Sequence, residues 1–142
     1  MNDTIELCRE ISDSADTGKL VLARLIRSSR DASFRSVMAD MFAGYHAILT
    51  EAKQIISAFD AADGGASMAQ KQPILLGLRL NAAIDSSPSH LADMLIQGCT
   101  MSLINVARAQ NEYTRADERA VSLAKRIRKA DEENIRQLLK FV

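Results

Sequence analysis

The side chains best suited to chemistry are acidic residues on the first and last predicted helices and one of the two histidines. The candidates are Glu6, Glu10, His46 and Asp131. A di-iron site in a helical bundle takes a Glu from each of two helices and Glu-x-x-His from the other two. Here Ala43 stands three residues before His46, and the last predicted helix has no histidine. Because the ligand set is incomplete, we expect no cofactor and keep iron or manganese at the four candidates as the alternative.

Two polar residues interrupt faces that are otherwise apolar. Asp131 is in register with Ile127 and Leu138, and Asn105 directly precedes Val106. A buried polar group without a partner costs roughly 1–3 kcal/mol, so we expect the two to pair with each other or with water. One interpretation is the remnant of a polar core that once held a metal. The other is loose packing of the last helix, which would let Asp131 reach solvent.

His46 raises a second possibility, a phosphotransfer or signalling bundle, because such domains present a histidine on a four-helix bundle. Neither His46 nor His90 is followed by the basic and glycine residues that would stabilise a phosphoryl group. The chain has two His, two Cys and no glycine-rich loop, so it offers no visible nucleophile–base pair. We therefore expect that the protein is not an enzyme.

The charge balance and the distribution of apolar residues narrow the classes of partner. Acidic and basic side chains number 18 each, so net charge gives no general attraction to nucleic acid or anionic lipid. No aromatic residue interleaves the basic residues of the last predicted helix for stacking on bases. No apolar run approaches the ~20 residues that span a bilayer. We expect neither a nucleic-acid partner nor a membrane partner.

The N-terminus and the cysteines indicate a location. Asn2, Asp3 and Thr4 form an acidic helix start rather than a basic signal peptide. Cys8 and Cys99 lie far apart within apolar helical patterns, which favours buried reduced thiols over a disulfide. These features predict a cytoplasmic protein.

An unusually long apolar stripe predicts how these residues are positioned. It follows spacings of three and four over about seven helical turns, and burial of such a stripe needs partner helices of similar length. Its members are Phe34, Val37, Met38, Met41, Tyr45, Ile48, Ala52, Ile55 and Phe59.

The whole chain, residues 1–142, reads as one all-α domain with helices at about 3–27, 32–61, 88–112 and 115–141. Gly64 and Gly65 would end the second helix, Ser87 followed by Pro88 would start the third, and Thr114 would cap the fourth. The segment 62–87 is long enough to cross the bundle, and its apolar residues after Pro73 predict a short helix. Two antiparallel hairpins joined by such a crossover are a ferritin-like four-helix bundle; the alternative is a plain up-down bundle.

Three stretches carry a resemblance to a known family. They are the opening residues 2–10, the segment 76–83 and Gly98 of the third helix. In these stretches the chain resembles an uncharacterised bacterial family of ferritin-like four-helix domains, a domain of unknown function. The resemblance implies the fold and no particular activity. It also implies acidic residues beside Gly98, where this chain has Ile96 and Cys99.

The third helix is apolar around more than one face, which requires a second burial surface. That surface is either the segment 62–87 or another subunit. We therefore predict a homodimer that forms through the third helix or that segment, with Leu91, Met94, Met101 and Ile104 as interface residues. The function predicted from the sequence is that of a non-catalytic bundle acting by self-association or by binding an unidentified protein partner. The alternatives are a degenerate metal-binding bundle of the di-iron type and a phosphotransfer bundle.

Overall fold

The computed structural model describes residues 2–60 and 85–142, with Asp60 described through its backbone alone. These residues form four α-helices and no strand, which confirms the all-α prediction. The helices are α1 (Asp3–Ser28), α2 (Ala32–Asp60), α3 (Pro88–Glu112) and α4 (Glu118–Leu138). None of the four combines the length and apolar character needed to cross a bilayer. The predicted glycine stop at Gly64 and Gly65 and the short helix after Pro73 lie outside the described residues.

Polar side chains start the first three helices close to the predicted positions. Asn2 Oδ1 accepts from the backbone N–H of Thr4 at 2.9 Å and so caps α1. Asp31 Oδ1 accepts from the N–H of Phe34 at 2.8 Å at the start of α2. Ser87 caps α3 with Pro88 at the first helical position, as the sequence predicted. Each cap satisfies a backbone donor that the first helical turn leaves without a partner.

Helix α4 begins at Glu118, three residues later than predicted, because the preceding residues bind α1. The N–H of Arg115 donates to Asp3 Oδ2 at 2.9 Å, and the N–H of Asp117 donates to Thr4 Oγ1 at 2.8 Å. These bonds hold residues 115–117 outside the helix. Asp117 then caps α4 through a 2.9 Å bond from the N–H of Arg119.

Contacts at the two ends of the bundle give the direction of each helix. The first turn of α1 binds the α3–α4 connection, as described above, so these elements share one end. At the other end, Phe34 near the start of α2 packs against Phe141 beyond α4, with ring centroids 5.0 Å apart. Helices α1 and α4 therefore run from the first end to the second, and α2 and α3 run back. The chain leaves α2 at one end of the bundle and enters α3 at the other.

Helix pairing follows from the same contacts. Helix α1 packs on α2 and α3 packs on α4, while α2 also contacts α4 and α1 contacts both α3 and α4. The apolar stripe of α2 forms a large part of the core. Seven of its nine predicted members are buried, and Val37 and Phe59 are partly buried against the same cluster. The seven are Phe34, Met38, Met41, Tyr45, Ile48, Ala52 and Ile55.

Candidate functional site

A group of polar side chains, four of them joined by hydrogen bonds, lies inside the bundle, about midway along α2. We call it the polar cluster, and its members are Tyr45 of α2, Cys99 and Ser102 of α3, and Asp131 and Asn134 of α4. Three of the four helices contribute to it. Such a cluster is unusual in a core that is otherwise largely apolar, since buried polar groups need partners.

The Tyr45 hydroxyl is the centre of the polar cluster. It donates a short hydrogen bond to Asp131 Oδ1. It accepts from Asn134 Nδ2 at 3.3 Å, and the thiol of Cys99 lies 3.5 Å away. Because the tyrosine hydrogen is used on the carboxylate, the thiol is the donor in the last contact. One phenol thus joins α2 to both α3 and α4.

Helical spacing explains why these side chains converge. Asn134 lies three residues after Asp131 and Ser102 lies three after Cys99, so each pair occupies one face of its helix. Tyr45 is part of the buried α2 stripe and is long enough to carry its hydroxyl across the core. Asp131 is fully buried, as are its neighbours in register, Ile127 and Leu138. The interpretation in which loose packing exposes Asp131 to solvent is therefore wrong.

Gly18 of α1 makes room for the Tyr45 ring. A Cβ atom at Gly18 would lie 2.9 Å from both Cδ2 and Cε2 of Tyr45, closer than real Cβ contacts allow. The hydroxyl end of the ring is held by Asp131, so the ring has little freedom to move aside. Gly18 is therefore the contribution of α1 to the position of the polar cluster.

The carboxyl group of Asp131 is buried with no cation bonded to it among the described residues. Burial disfavours its charged form and raises the pKa of Asp131 from 3.8 to about 6, although Ser102, Tyr45 and Cys99 offset part of this rise. Ser102 lies close enough to influence the carboxyl. Even so, Ser102 Oγ and Asp131 Oδ2 each have no partner with hydrogen-bond geometry in the described parts of the chain.

The other two titratable members of the polar cluster are held neutral. Burial raises the pKa of the Tyr45 phenol well above its usual value, and the nearby Cys99 and Asp131 add to the effect. Burial also raises the pKa of the Cys99 thiol to about 12. Since the thiolate is the reactive form of cysteine, Cys99 is not an activated nucleophile. Asp131 is the member whose charge changes closest to neutral pH.

The four predicted metal ligands do not meet. Glu6 forms a 2.9 Å ion pair with Arg9. The pKa of the Glu10 carboxyl is raised mainly by its partial burial and further by the nearby negative charge of Asp13. Both glutamates lie in the first half of α1. Asp131 bonds to Tyr45, whose ring contacts α1 at Gly18. Gly18 is about two helical turns beyond Glu10, so Asp131 lies well away from both glutamates. Within residues 2–60 and 85–142, no three His, Cys, Asp or Glu side chains form a group that could hold a metal ion.

His46 lies on the exposed side of α2 and interacts with α1. Its Nδ1 is 2.9 Å from Lys19 Nζ, and the same ammonium lies 5.2 Å from the centroid of the Phe42 ring. Lysine is donor only, so Nδ1 accepts and a neutral ring carries its proton on Nε2. In that tautomer Nε2 has no free lone pair with which to attack a phosphoryl group. This contact therefore gives the phosphotransfer alternative no support.

The predicted interface residues divide into two groups. Leu91 is fully buried in the core of the single chain, and Met94 is half-buried against it. Met101 and Ile104 are 61% and 41% exposed. Only the last two are free to contribute a large apolar area to a partner.

Sequence reasoning did not find most of the polar cluster. It singled out Asp131 and expected it to pair with Asn105 or with water, but Asp131 bonds to Tyr45, and half-buried Asn105 is not among its partners. Tyr45 was counted as an apolar member of the α2 stripe. The available signal was its hydroxyl, since a tyrosine buried in a stripe needs a polar partner on a facing helix.

Comparison with known proteins assigns the chain to no family. No protein-family model, no curated protein and no solved structure matches the chain. The resemblance to a ferritin-like bacterial family stays a prediction, and any function must be argued from the residues themselves.

The contact between Gly18 and Tyr45 predicts opposite effects at two glycines. Gly18→Ala should lower the free energy of unfolding by about 1 kcal/mol, because overpacking costs more than the gain in helix propensity. Gly44→Ala is the matched control, since a Cβ there meets nothing within 4 Å, and it should raise the free energy of unfolding by about 0.5–1 kcal/mol. Urea denaturation measures both. Equal stabilisation by the two variants would contradict the close approach.

The raised pKa of Asp131 predicts a pH dependence of stability. Between pH 4 and 6 the folded protein keeps a proton on Asp131 that the unfolded chain has released, so this residue lowers stability as pH rises. The loss is complete above the folded pKa and amounts to about 3 kcal/mol. Asp131→Asn removes the titration.

Urea denaturation of both proteins at several pH values between 4 and 7 isolates this effect from all other carboxyl groups. The free energy of unfolding of the variant, minus that of the wild type, should increase by about 2–2.5 kcal/mol from pH 4 to pH 7, because part of the loss has already occurred at pH 4. A difference that stays constant, or that decreases with pH, would contradict this account. It would show that Asp131 either reaches solvent or has a positive charge beside it.

Proposed function

We propose that the protein is a non-catalytic helical bundle that acts by self-association, with a second copy of the chain as its partner. The observation that carries the proposal is the exposure of Met101 and Ile104, which lie one turn apart on α3. Large apolar side chains that adjoin each other on a surface favour burial against another protein. Methionine adapts its shape to a partner, which suits such a contact.

The chemistry of the core supports a non-catalytic role. The polar cluster holds a neutral phenol and a protonated thiol, and neither is activated as a nucleophile. Its one readily titrated group, Asp131, is fully buried and therefore has no access to a substrate in solvent. Binding through the surface is the function that this arrangement serves best.

We also propose that the bundle is ferritin-like and that the protein is cytoplasmic. The ferritin-like connectivity is supported by the parallel directions of α2 and α3 and by the contacts of α2 with α1 and α4. The cytoplasmic location is supported by Cys8 and Cys99, two buried thiols that form no disulfide.

A second candidate function, binding of iron or manganese by a degenerate metal site, rests on one observation. Asp131 is fully buried and its Oδ2 has no partner in the described parts of the chain. A bound cation would supply that partner. Elemental analysis of protein purified without chelator tests this alternative, and stoichiometric iron or manganese that Asp131→Asn abolishes would favour it over an association module.

The proposed self-association predicts the effect of a charge on α3. Ile104→Glu should convert a dimer to a folded monomer, because a carboxylate would be desolvated in the interface. Leu20→Glu is the matched control: Leu20 is 39% exposed, close to the 41% of Ile104, but lies on α1. It should leave the dimer intact. Light scattering on a sizing column gives the mass, and circular dichroism verifies the fold. A wild-type protein that is monomeric at all concentrations would overturn the proposal.

A further inference from the structure

Apart from Gly98, the exposed residues of α3 between Asp93 and Arg108 have a symmetric spacing, and Ser89, Asn111 and Glu112 are exposed beyond them. We call these residues the α3 face, and they are Asp93, Gln97, Thr100, Met101, Ile104 and Arg108. All six are exposed, and successive members are separated by four, three, one, three and four positions. At 3.6 residues per turn they form one stripe about 100° wide. The spacing reads the same from either end, so the stripe is unchanged when α3 is reversed.

The charges at the two ends of the α3 face are opposite. Asp93 is its only acid and Arg108 its only base, about 22 Å apart along the helix axis. Asp93 Oδ1 accepts a 3.2 Å bond from Gln97, and neither charged residue has an ion-pair partner within the described residues. Two charges of opposite sign at symmetric positions complement a reversed copy of the same face.

We propose that two copies of the chain bind through the α3 face with their α3 helices antiparallel, about a two-fold axis between Thr100 and Met101. This proposal rests on the proposed self-association and specifies its geometry. In a two-fold dimer, residue i of one copy meets residue j of the other and j meets i. The antiparallel arrangement sets Asp93 opposite Arg108 twice. A parallel arrangement would set each charge against its own kind, which costs affinity.

The same register places the apolar residues at the centre. Ile104 of each copy lies opposite Gln97 of the other, and the two Met101 side chains meet beside the axis with Thr100. The result is a middle that contains the two apolar residues of each copy, with a charged pair at each edge, as in protein interfaces whose rim is polar. The two ion pairs lie at the rim, where they select the orientation of the partner more than they add affinity.

Charge reversal tests the register. Asp93→Arg and Arg108→Asp each replace two attractive pairs by two repulsive ones, so each should raise the dissociation constant of the dimer about tenfold or more at low salt. The double variant Asp93→Arg/Arg108→Asp restores both pairs with reversed polarity and should return to within about threefold of wild type. Sedimentation equilibrium measures all four proteins.

The outcomes separate the two proposals. A monomeric wild type overturns self-association itself. A dimeric wild type with two weak single variants and a restored double variant supports the antiparallel register. Two results would overturn the register while self-association stands. In one, the wild type is dimeric and the single charge reversals have no effect on its dissociation constant. In the other, the wild type is dimeric and the double variant is as weak as the two single variants combined.

Disulfide cross-linking gives a second readout that does not depend on charge. Thr100→Cys lies beside the axis and should form an intermolecular disulfide with its own copy on mild oxidation with diamide. Gln97→Cys should not cross-link with itself, because it faces Ile104 of the other copy. Cys8 and Cys99 are buried and give no background. Cross-linking of Gln97→Cys, with or without cross-linking of Thr100→Cys, would indicate a parallel arrangement and overturn the proposal.

Discussion

The hydrogen bond from Tyr45 to Asp131 is the contact on which the rest of this bundle depends. It joins α2 to α4 in the centre of the core, and Cys99 extends it to α3. Gly18 of α1 provides the space for the ring that carries the hydroxyl. An aliphatic core alone would tolerate several relative positions of its helices. A buried carboxylate with one good hydrogen-bond donor restricts the helices to few relative positions, because a shift that removes the donor leaves a buried charge without a partner.

The cost of burying Asp131 limits what the core can do chemically. Burial raises the pKa of the carboxyl to about 6 and keeps the neighbouring thiol protonated. These shifts come from desolvation, and no described cation offsets them. The polar cluster is therefore suited to fixing the alignment of α2 on α4. Two contacts between the polar cluster and the start of α4 agree with that alignment: Glu51 pairs with Arg126, and Arg119 lies 5.2 Å from the ring centroid of Phe59.

The sequence predicted most of the helices because their signals are local. The α2 stripe and the cap at Ser87 depend on residues close in the chain, and both are confirmed. The start of α4 was missed because Asp117 is bound by Thr4, more than a hundred residues away. The partner of Asp131 was missed for the same reason: which side chain faces it depends on how α2 and α4 align. Periodicity shows which face of a helix is buried, but it does not show what that face meets.

The most direct test of this account is a double-mutant cycle on Tyr45 and Asp131, followed by urea denaturation at pH 7. Tyr45→Phe in the wild type removes the donor from a buried carboxylate and should cost about 2–3 kcal/mol. In the Asp131→Asn background the same change should cost at least about 1 kcal/mol less, which gives a clear coupling energy between the two residues. Equal costs in the two backgrounds would contradict the account, because the hydroxyl and the carboxylate would then not be interacting.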